Sequence, residues 1–199
     1  MISRDAHKVM AEKRKEAFEK KVAAATREKG LLIVNTGTGK GKSTAAFGMG
    51  LRILGHGMRL GVVQFIKGAY ESAERNVLSK HELCDFHTIG DGFTWNTQDR
   101  DLDVATAGKA WRQAVAMIES PDYQMVILDE LNVVLKYEYI DLEEALSVLG
   151  SRRLDLHIVV TGRHAPDRLI DMADLVSEIK AIKHPYREQG VKAQAGVEY

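Results

Sequence analysis

Leu31-Leu32-Ile33-Val34 runs directly into Asn35-Thr36-Gly37-Thr38-Gly39-Lys40-Gly41-Lys42-Ser43-Thr44, and Ala45-Ala46-Phe47 follows. A buried strand, a glycine-rich turn and the start of a helix succeed one another here, the layout that grips a nucleotide triphosphate. The glycines let backbone N–H groups close around phosphate oxygens, and the helix N-terminus adds a favourable dipole. Lys42 would reach a phosphate as a point charge, and the Ser43 hydroxyl would ligate Mg²⁺. The loop is also short. The common pattern, Gly-x-x-x-x-Gly-Lys-Ser/Thr, needs a glycine where this chain has Thr36, and counting from Gly37 leaves three residues before Gly41-Lys42. Such a loop can hold phosphates, but in a pose different from that of common ATPases. The plainer alternative is a turn that only joins strand to helix.

From Leu31 onward, β-rich runs alternate with helical stretches. Strands are expected at Leu31–Asn35, Leu60–Phe65, Leu83–Thr88, Gln124–Asp129, His157–Thr161 and Leu175–Ile179. Helices are expected near Lys42–Leu54, Asp101–Ser120, Asp141–Leu149 and Pro166–Met172. Runs such as Val126-Ile127-Leu128 and Ile158-Val159-Val160 are too apolar for a sheet with one wet face. They imply an α/β fold with a mostly parallel sheet of about six strands, flanked by helices on both faces. Ligands of such sheets bind beyond the carboxyl ends of the strands, so the loops that follow strands should converge on one edge.

The segment from about Asp5 to Lys29 is rich in Ala, Glu, Lys and Arg, lacks Pro and Gly, and ends at Gly30. It reads as a helix with a glycine stop. Its apolar residues are sparse (Met10, Phe18, Val22), and residues 1–29 hold nine Lys/Arg against five Asp/Glu. This is a basic N-terminal arm, laid across another surface or simply solvated, ahead of a single domain at 30–199. The tail after Lys183 has no convincing periodicity.

The whole chain of 199 residues balances 28 Lys+Arg against 28 Asp+Glu, so nothing global points to nucleic acid or a membrane surface. One cysteine, Cys84, excludes an internal disulfide, suits a reducing compartment and is expected to be a buried thiol. No apolar run is long enough to span a bilayer and the N-terminus lacks a signal-peptide core, so a soluble cytoplasmic protein is expected. The histidines show no His-x-x-His spacing and no Gly-x-Ser-x-Gly elbow occurs, which argues against a built-in zinc site or a serine nucleophile.

Gln124-Met125-Val126-Ile127-Leu128-Asp129-Glu130 is an apolar strand ending in two carboxylates, which in nucleotide-binding folds support the metal beside the phosphates. Alternation alone leaves open which of Asp129 and Glu130 points inward. Arg163, in Val160-Thr161-Gly162-Arg163-His164, could reach the triphosphate or be a surface arginine in a turn. Arg52, two turns or more beyond Lys42 on the same helix, contacts the nucleotide or is solvated. Gly90-Asp91-Gly92-Phe93-Thr94-Trp95-Asn96 carries two large aromatics in a loop that should be polar. Phe93 and Trp95 there suit a flat apolar ligand or a lid, unless both rings fold into the core. Trp111, within a helical stretch, is expected in the core.

These residues resemble the ATP:corrinoid adenosyltransferases of the P-loop type. The resemblance rests on Thr36 through Gly48, on Val63-Gln64-Phe65-Ile66-Lys67-Gly68 and on Gly92-Phe93-Thr94-Trp95. It continues through Leu128-Asp129-Glu130-Leu131, Thr161-Gly162-Arg163 and Gly190-Val191-Lys192-Ala193-Gln194, and so covers nearly the whole chain. Ser43 stands where many members have Thr, and Thr38 where Asn or Asp is common. The resemblance implies a RecA-like P-loop fold, a homodimer, and a role in adenosylcobalamin synthesis or salvage. The reaction it implies is transfer of the 5′-deoxyadenosyl group of ATP to the Co(I) centre of a reduced corrinoid, with release of triphosphate. Members bind ATP in reversed sense, so that the 5′ carbon faces the cobalt. Gly37, Thr38, Gly39, Lys40, Gly41, Lys42, Ser43 and Thr44 would then hold the triphosphate as a leaving group, with Arg52 and Arg163 as further nucleotide contacts. Mg²⁺ (or Mn²⁺) would be held by Ser43 with Asp129 or Glu130. Phe93 and Trp95 match the aromatic pair that fills the corrinoid's lower face and eases reduction of Co(II). Lys42, Phe93 and Trp95 are thus the expected catalytic residues. The arm would close over the site, and a reduced, flavodoxin-like flavoprotein would donate the electron. The rival readings are a P-loop ATPase or kinase acting at the γ-phosphate, and a nucleotide-gated module that delivers a corrinoid without chemistry.

Overall fold

A computed structural model describes residues 4–66, 72–89 and 99–199. Six strands form one sheet: β1 (Leu32–Thr36), β2 (Leu60–Gln64), β3 (Cys84–Thr88), β4 (Met125–Asp129), β5 (His157–Thr161) and β6 (Leu175–Glu178). Their order across the sheet is β3-β2-β4-β5-β1-β6, and every pairing is parallel. Each expected strand is present to within a residue or two of its expected ends. The helices are α1 (Arg4–Ala24), α2 (Lys42–Gly55), α3 (Ala73–Leu78), α4 (Arg100–Glu119), α5 (Leu131–Lys136), α6 (Leu142–Gly150), α7 (Asp167–Met172) and α8 (Pro185–Gln189).

Alternation along the strands sorts the core into two layers. Leu32, Val34, Val126, Leu128, Ile158 and Val160 face a layer completed by Ala110, Trp111, Ala114 and Met117 of α4 and by α5 and α6. Ile33, Leu60, Val62, Ile127 and Val159 face the other layer, with Ala46, Phe47, Ile53 and Leu54 of α2 and Leu78 of α3. Both faces of the sheet are therefore covered, which is why its central strands read as unbroken apolar runs. Trp111 is in the core, where its indole Nε1 donates to Glu144 Oε1 at 2.8 Å. Cys84 is buried at the sheet edge, and burial pushes its thiol up to about 11, so it is inert at neutral pH.

The expected glycine stop at Gly30 is corrected by the structure: α1 ends at Ala24, and Gly30 is part of the sheet's lower edge. Gly30 N–H donates to Leu154 O at 2.6 Å, and a Cβ at this position would lie 2.1 Å from Leu156 O. The glycine is there for close approach to the chain entering β5, not to cap a helix. Lys29 is ion-paired to Asp174, whose Oδ2 also accepts from Leu32 N–H at 2.9 Å and from Arg152 at 3.3 Å. The arm is rooted there. Among the described residues, the side chains of 7–29 are all exposed. No described helix is long and apolar enough to cross a membrane.

Candidate functional site

Because all six strands run the same way, the loops after β1, β2, β4, β5 and β6 leave from one edge of the sheet. The phosphate loop, residues 37–41, connects β1 to α2, and Gly41 caps the helix with φ 102°. A side chain at Gly41 would meet nothing within 4 Å, so this glycine supplies the left-handed turn on the open side of the loop. Gly37 and Gly39 have a different reason. A Cβ at Gly37 would lie 2.4 Å from Ile179 O, and one at Gly39 2.8 Å from Ile179 Cγ2, because the chain leaving β6 presses against the loop. Gly39 N–H is donated to Ile179 O at 2.7 Å and Ile179 N–H to Thr36 O at 2.8 Å. The Gly39 amide is thus already engaged and is not among the donors this loop has left for a ligand. Thr38 is exposed, and its Oγ1 accepts from Ala181 N–H at 3.4 Å.

Lys42, in the first turn of α2, is only 7% exposed. Its ammonium donates to Gly39 O at 2.5 Å. Burial holds its pKa below the usual lysine value; Glu130 opposes that shift, Arg163 and Lys40 add to it, and Asp129 opposes it more weakly. The chain folds five charged groups from three loops into mutual electrostatic range. Ser43 is half-buried and Thr44 exposed beside it on the same first turn.

Asp129 ends β4 and is 2% exposed. Its Oδ1 accepts from Thr161 Oγ1 at 2.7 Å and its Oδ2 from Gln64 Nε2 at 2.9 Å. Thr88 Oγ1 donates to Gln64 Oε1 at 3.4 Å, so one chain of hydrogen bonds crosses the ends of β3, β2, β4 and β5. Glu130 follows with φ 64°, and its N–H donates to the same Thr161 Oγ1 at 2.9 Å. That left-handed turn, unusual for a glutamate, separates the two carboxylates and starts α5. Burial, together with the neighbouring Asp129 charge, pushes the Glu130 carboxyl up to about 7, although Lys42 and Arg163 pull it down. Gly162 (φ 127°) makes room for this: a Cβ there would lie 3.2 Å from Glu130 Oε2 and 2.9 Å from Asn132 Cβ. Ser43, Asp129 and Glu130 offer only oxygen donors, and two adjacent carboxylates taken out of water favour a hard divalent cation between them and a phosphate. The residues fit Mg²⁺.

Arg163 is exposed at the same edge, near enough to act on both Lys42 and Glu130. Arg52 is the site residue that the fold does not bring to the loop. It lies exposed in the last turn of α2, about 15 Å along the axis from Lys42 at 1.5 Å per residue. Phe93 and Trp95 lie outside the described residues. Reasoning from the sequence missed two further members of the site. Gln64 is a polar residue closing an apolar strand, a usable signal once β2 is paired in register with β4, which sets Gln64 opposite Asp129. Glu198, ion-paired with Lys40 of the phosphate loop, has no local signal at all.

Comparison with known proteins gives consistent results. A family model described as ATP:corrinoid adenosyltransferase BtuR/CobO/CobP matches residues 28–199. A corrinoid adenosyltransferase of Sinorhizobium sp is 52% identical over 196 residues, covering 97% of this chain and 91% of that protein. One from Pseudomonas aeruginosa is 45% identical over 194 residues, covering 97% and 95%. The corrinoid adenosyltransferase CobA of Salmonella typhimurium is 42% identical over 198 residues and is covered, like this chain, in full.

Proposed function

The chain belongs to the ATP:corrinoid adenosyltransferase family, and on that premise we propose how its own residues divide the work. It is an enzyme that transfers the adenosyl group of ATP to a corrinoid, producing adenosylcobalamin. The nucleophile is the substrate's cobalt, which the resemblance implies is Co(I), so no serine, cysteine or general base is needed. The leaving group is the triphosphate. The backbone of residues 37–44 wraps it, and Lys42, Lys40 and Arg163 surround it with positive charge. These cations act on charge that grows as the C–O bond breaks, which is where preorganised electrostatics lowers a barrier most.

Ser43 and Glu130 would hold Mg²⁺, with Asp129 fixed behind them by Thr161 and Gln64. Bound there, the ion would neutralise charge developing on the departing triphosphate. Mn²⁺ would suit the same oxygen donors. Phe93 and Trp95 cover the lower face of the corrinoid and keep an axial ligand away, which makes reduction of Co(II) easier. If so, Phe93→Ala and Trp95→Ala slow the reaction that starts from Co(II) far more than the one that starts from Co(I). Equal losses in the two assays would remove the aromatic pair from ligand displacement. The electron comes from a reduced flavoprotein in the cytoplasm, and the basic arm, residues 1–29, closes over the site above the domain formed by 30–199. The working unit is a homodimer. Exposed Leu175 and Val176 on the edge strand β6, with Ile182 and Tyr186 beyond it, support that state as apolar surface for a second copy to cover.

The observation that carries the reading is the meeting of Lys42, Asp129, Glu130 and Arg163 beside a phosphate loop one residue shorter than the common form. Anaerobic incubation with MgATP and chemically reduced cob(I)alamin tests it. An adenosylated, light-sensitive corrinoid with one triphosphate per turnover is expected. ADP and phosphate with an unchanged corrinoid would replace it with γ-phosphate chemistry.

A further inference from the structure

Both lysines of the phosphate loop already have acceptors within the protein. Lys42 is held by a neutral carbonyl, Gly39 O, at 2.5 Å. Lys40 is held by a full negative charge, the carboxylate of Glu198. The Glu198 side chain is only 16% exposed, whereas Lys40 is 55% exposed. A turn fixes the acid in position: Glu198 N–H donates to Gln194 O at 2.8 Å and Gly196 N–H to Tyr199 O at 2.7 Å. Gly39 and Thr38 of the loop are strapped to the chain leaving β6 through their bonds with Ile179 and Ala181. Lys40 is the loop cation left outside that strap, and its charge is felt at Lys42. It therefore has two claimants, Glu198 and any polyanion in the loop.

We propose that Glu198 is a positioning residue that competes with the triphosphate for Lys40. It holds the ammonium in the empty enzyme, yields it when ATP enters, and takes it back as inorganic triphosphate leaves. This rests on the reading that the loop holds the triphosphate as a leaving group. A clasp that served only to pin residues 194–199 to the domain would be loosened by losing its charge, with no gain in ligand binding. A carboxylate at the rim of a polyphosphate site instead weakens ligand binding, both by occupying Lys40 and by repelling the incoming charge. An enzyme whose product is a polyanion bound by several cations gains from such a competitor, because the product would otherwise leave slowly.

The test is calorimetric binding of MgATP and of inorganic triphosphate to the full-length protein and its variants, without corrinoid. E198Q, and separately removal of residues 198 and 199, should bind triphosphate about threefold to fivefold more tightly, the range of a half-exposed ion pair. In a K40A background the E198Q gain should shrink to the small part that comes from relieved repulsion alone. A merely structural clasp gives the opposite sign, with weaker binding and a lower unfolding midpoint in E198Q. Unchanged or weaker binding in both variants, or an equal gain with Lys40 absent, would overturn the proposal. Adenosyl transfer by the unaltered enzyme is assayed in parallel. No transfer there sinks the leaving-group reading, whereas normal transfer with an inert E198Q change sinks only the role of Glu198.

Discussion

An ammonium as buried as that of Lys42 (7% exposed) persists only beside compensating negative charge, here Glu130 and then Asp129. Lys42→Ala should leave the protein folded and cut adenosyl transfer by at least about 100-fold, the scale expected for losing one preorganised charge at a leaving group; steady-state turnover beside a thermal melt checks it. Glu130 carries the opposite signature. Its carboxyl titrates at about 7 in the folded chain against an ordinary 4.5. Between those values the folded state keeps a proton that the unfolded state has released, so stability falls as pH rises through that window and stays lower above it. Glu130→Gln should therefore stabilise the unliganded protein above pH 7 by up to about 3 kcal/mol, do little near pH 4.5, and abolish Mg²⁺-dependent turnover. Melts of both proteins at pH 5 and pH 8 give the comparison. The phosphate loop and the Asp129-Glu130 pair were legible in the sequence because their chemistry is contiguous. Gln64, Thr161, Ile179 and Glu198 reach these groups only through strand register or across long chain separations, 158 positions between Lys40 and Glu198. The glycines show the limit of motif reading most plainly: Gly37 and Gly39 have the residue type expected for a phosphate, yet their tightest neighbour is Ile179.

The strands were readable one by one because β-branched and aliphatic runs buried on both faces have few other places to go. Of the short helices only α7 was, expected at Pro166–Met172 and found at Asp167–Met172. Helices of five or six residues, α3, α5 and α8, cannot be sustained by propensity alone and depend on their surroundings. The side chain of Ser72 accepts from Arg75 N–H to start α3, and the left-handed turn at Glu130 starts α5. The boundary of α1 was misjudged for a related reason: the sheet captures the chain from Lys29 on, through Asp174 and Leu154. Two variants separate the helix from its root. Removing residues 1–24 should leave the unfolding midpoint of the domain unchanged while lowering corrinoid turnover, since the described side chains of α1 are all exposed. Asp174→Asn should lower the midpoint by about 2–4 °C, because that carboxylate serves Lys29, Arg152 and the Leu32 amide together. Its pKa is held below the usual range first by Lys29 and then by the Leu32 N–H. That stability is present above the ordinary aspartate value and lost in acid, so the two melting curves should converge as pH falls well below that value.

At the scale of the molecule, the two ends of one parallel sheet carry different features: the proposed nucleotide site at the carboxyl ends of the strands, and the root of the arm at the other. Sedimentation should find a particle of twice 22.1 kDa, and weakened association on replacing Val176 with Lys would place the contact at the β6 edge. A sedimenting monomer at micromolar concentration would remove the homodimer. The separation of the edges bears on the rate of closure. A flap hinged beside its site opens by rocking a few degrees; α1, about 30 Å long and leashed through residues 25–28 from its root at Lys29 on the far edge, would have to search for a site it is proposed to close over. Its capture then obeys the statistics of a tether rather than of a hinge. Residues 25–28 would then be a timing element, and stretching that leader with Gly-Ser repeats past its optimal span should dilute the arm over its target as roughly the −3/2 power of tether length, without touching a single atom at the carboxyl ends of the strands.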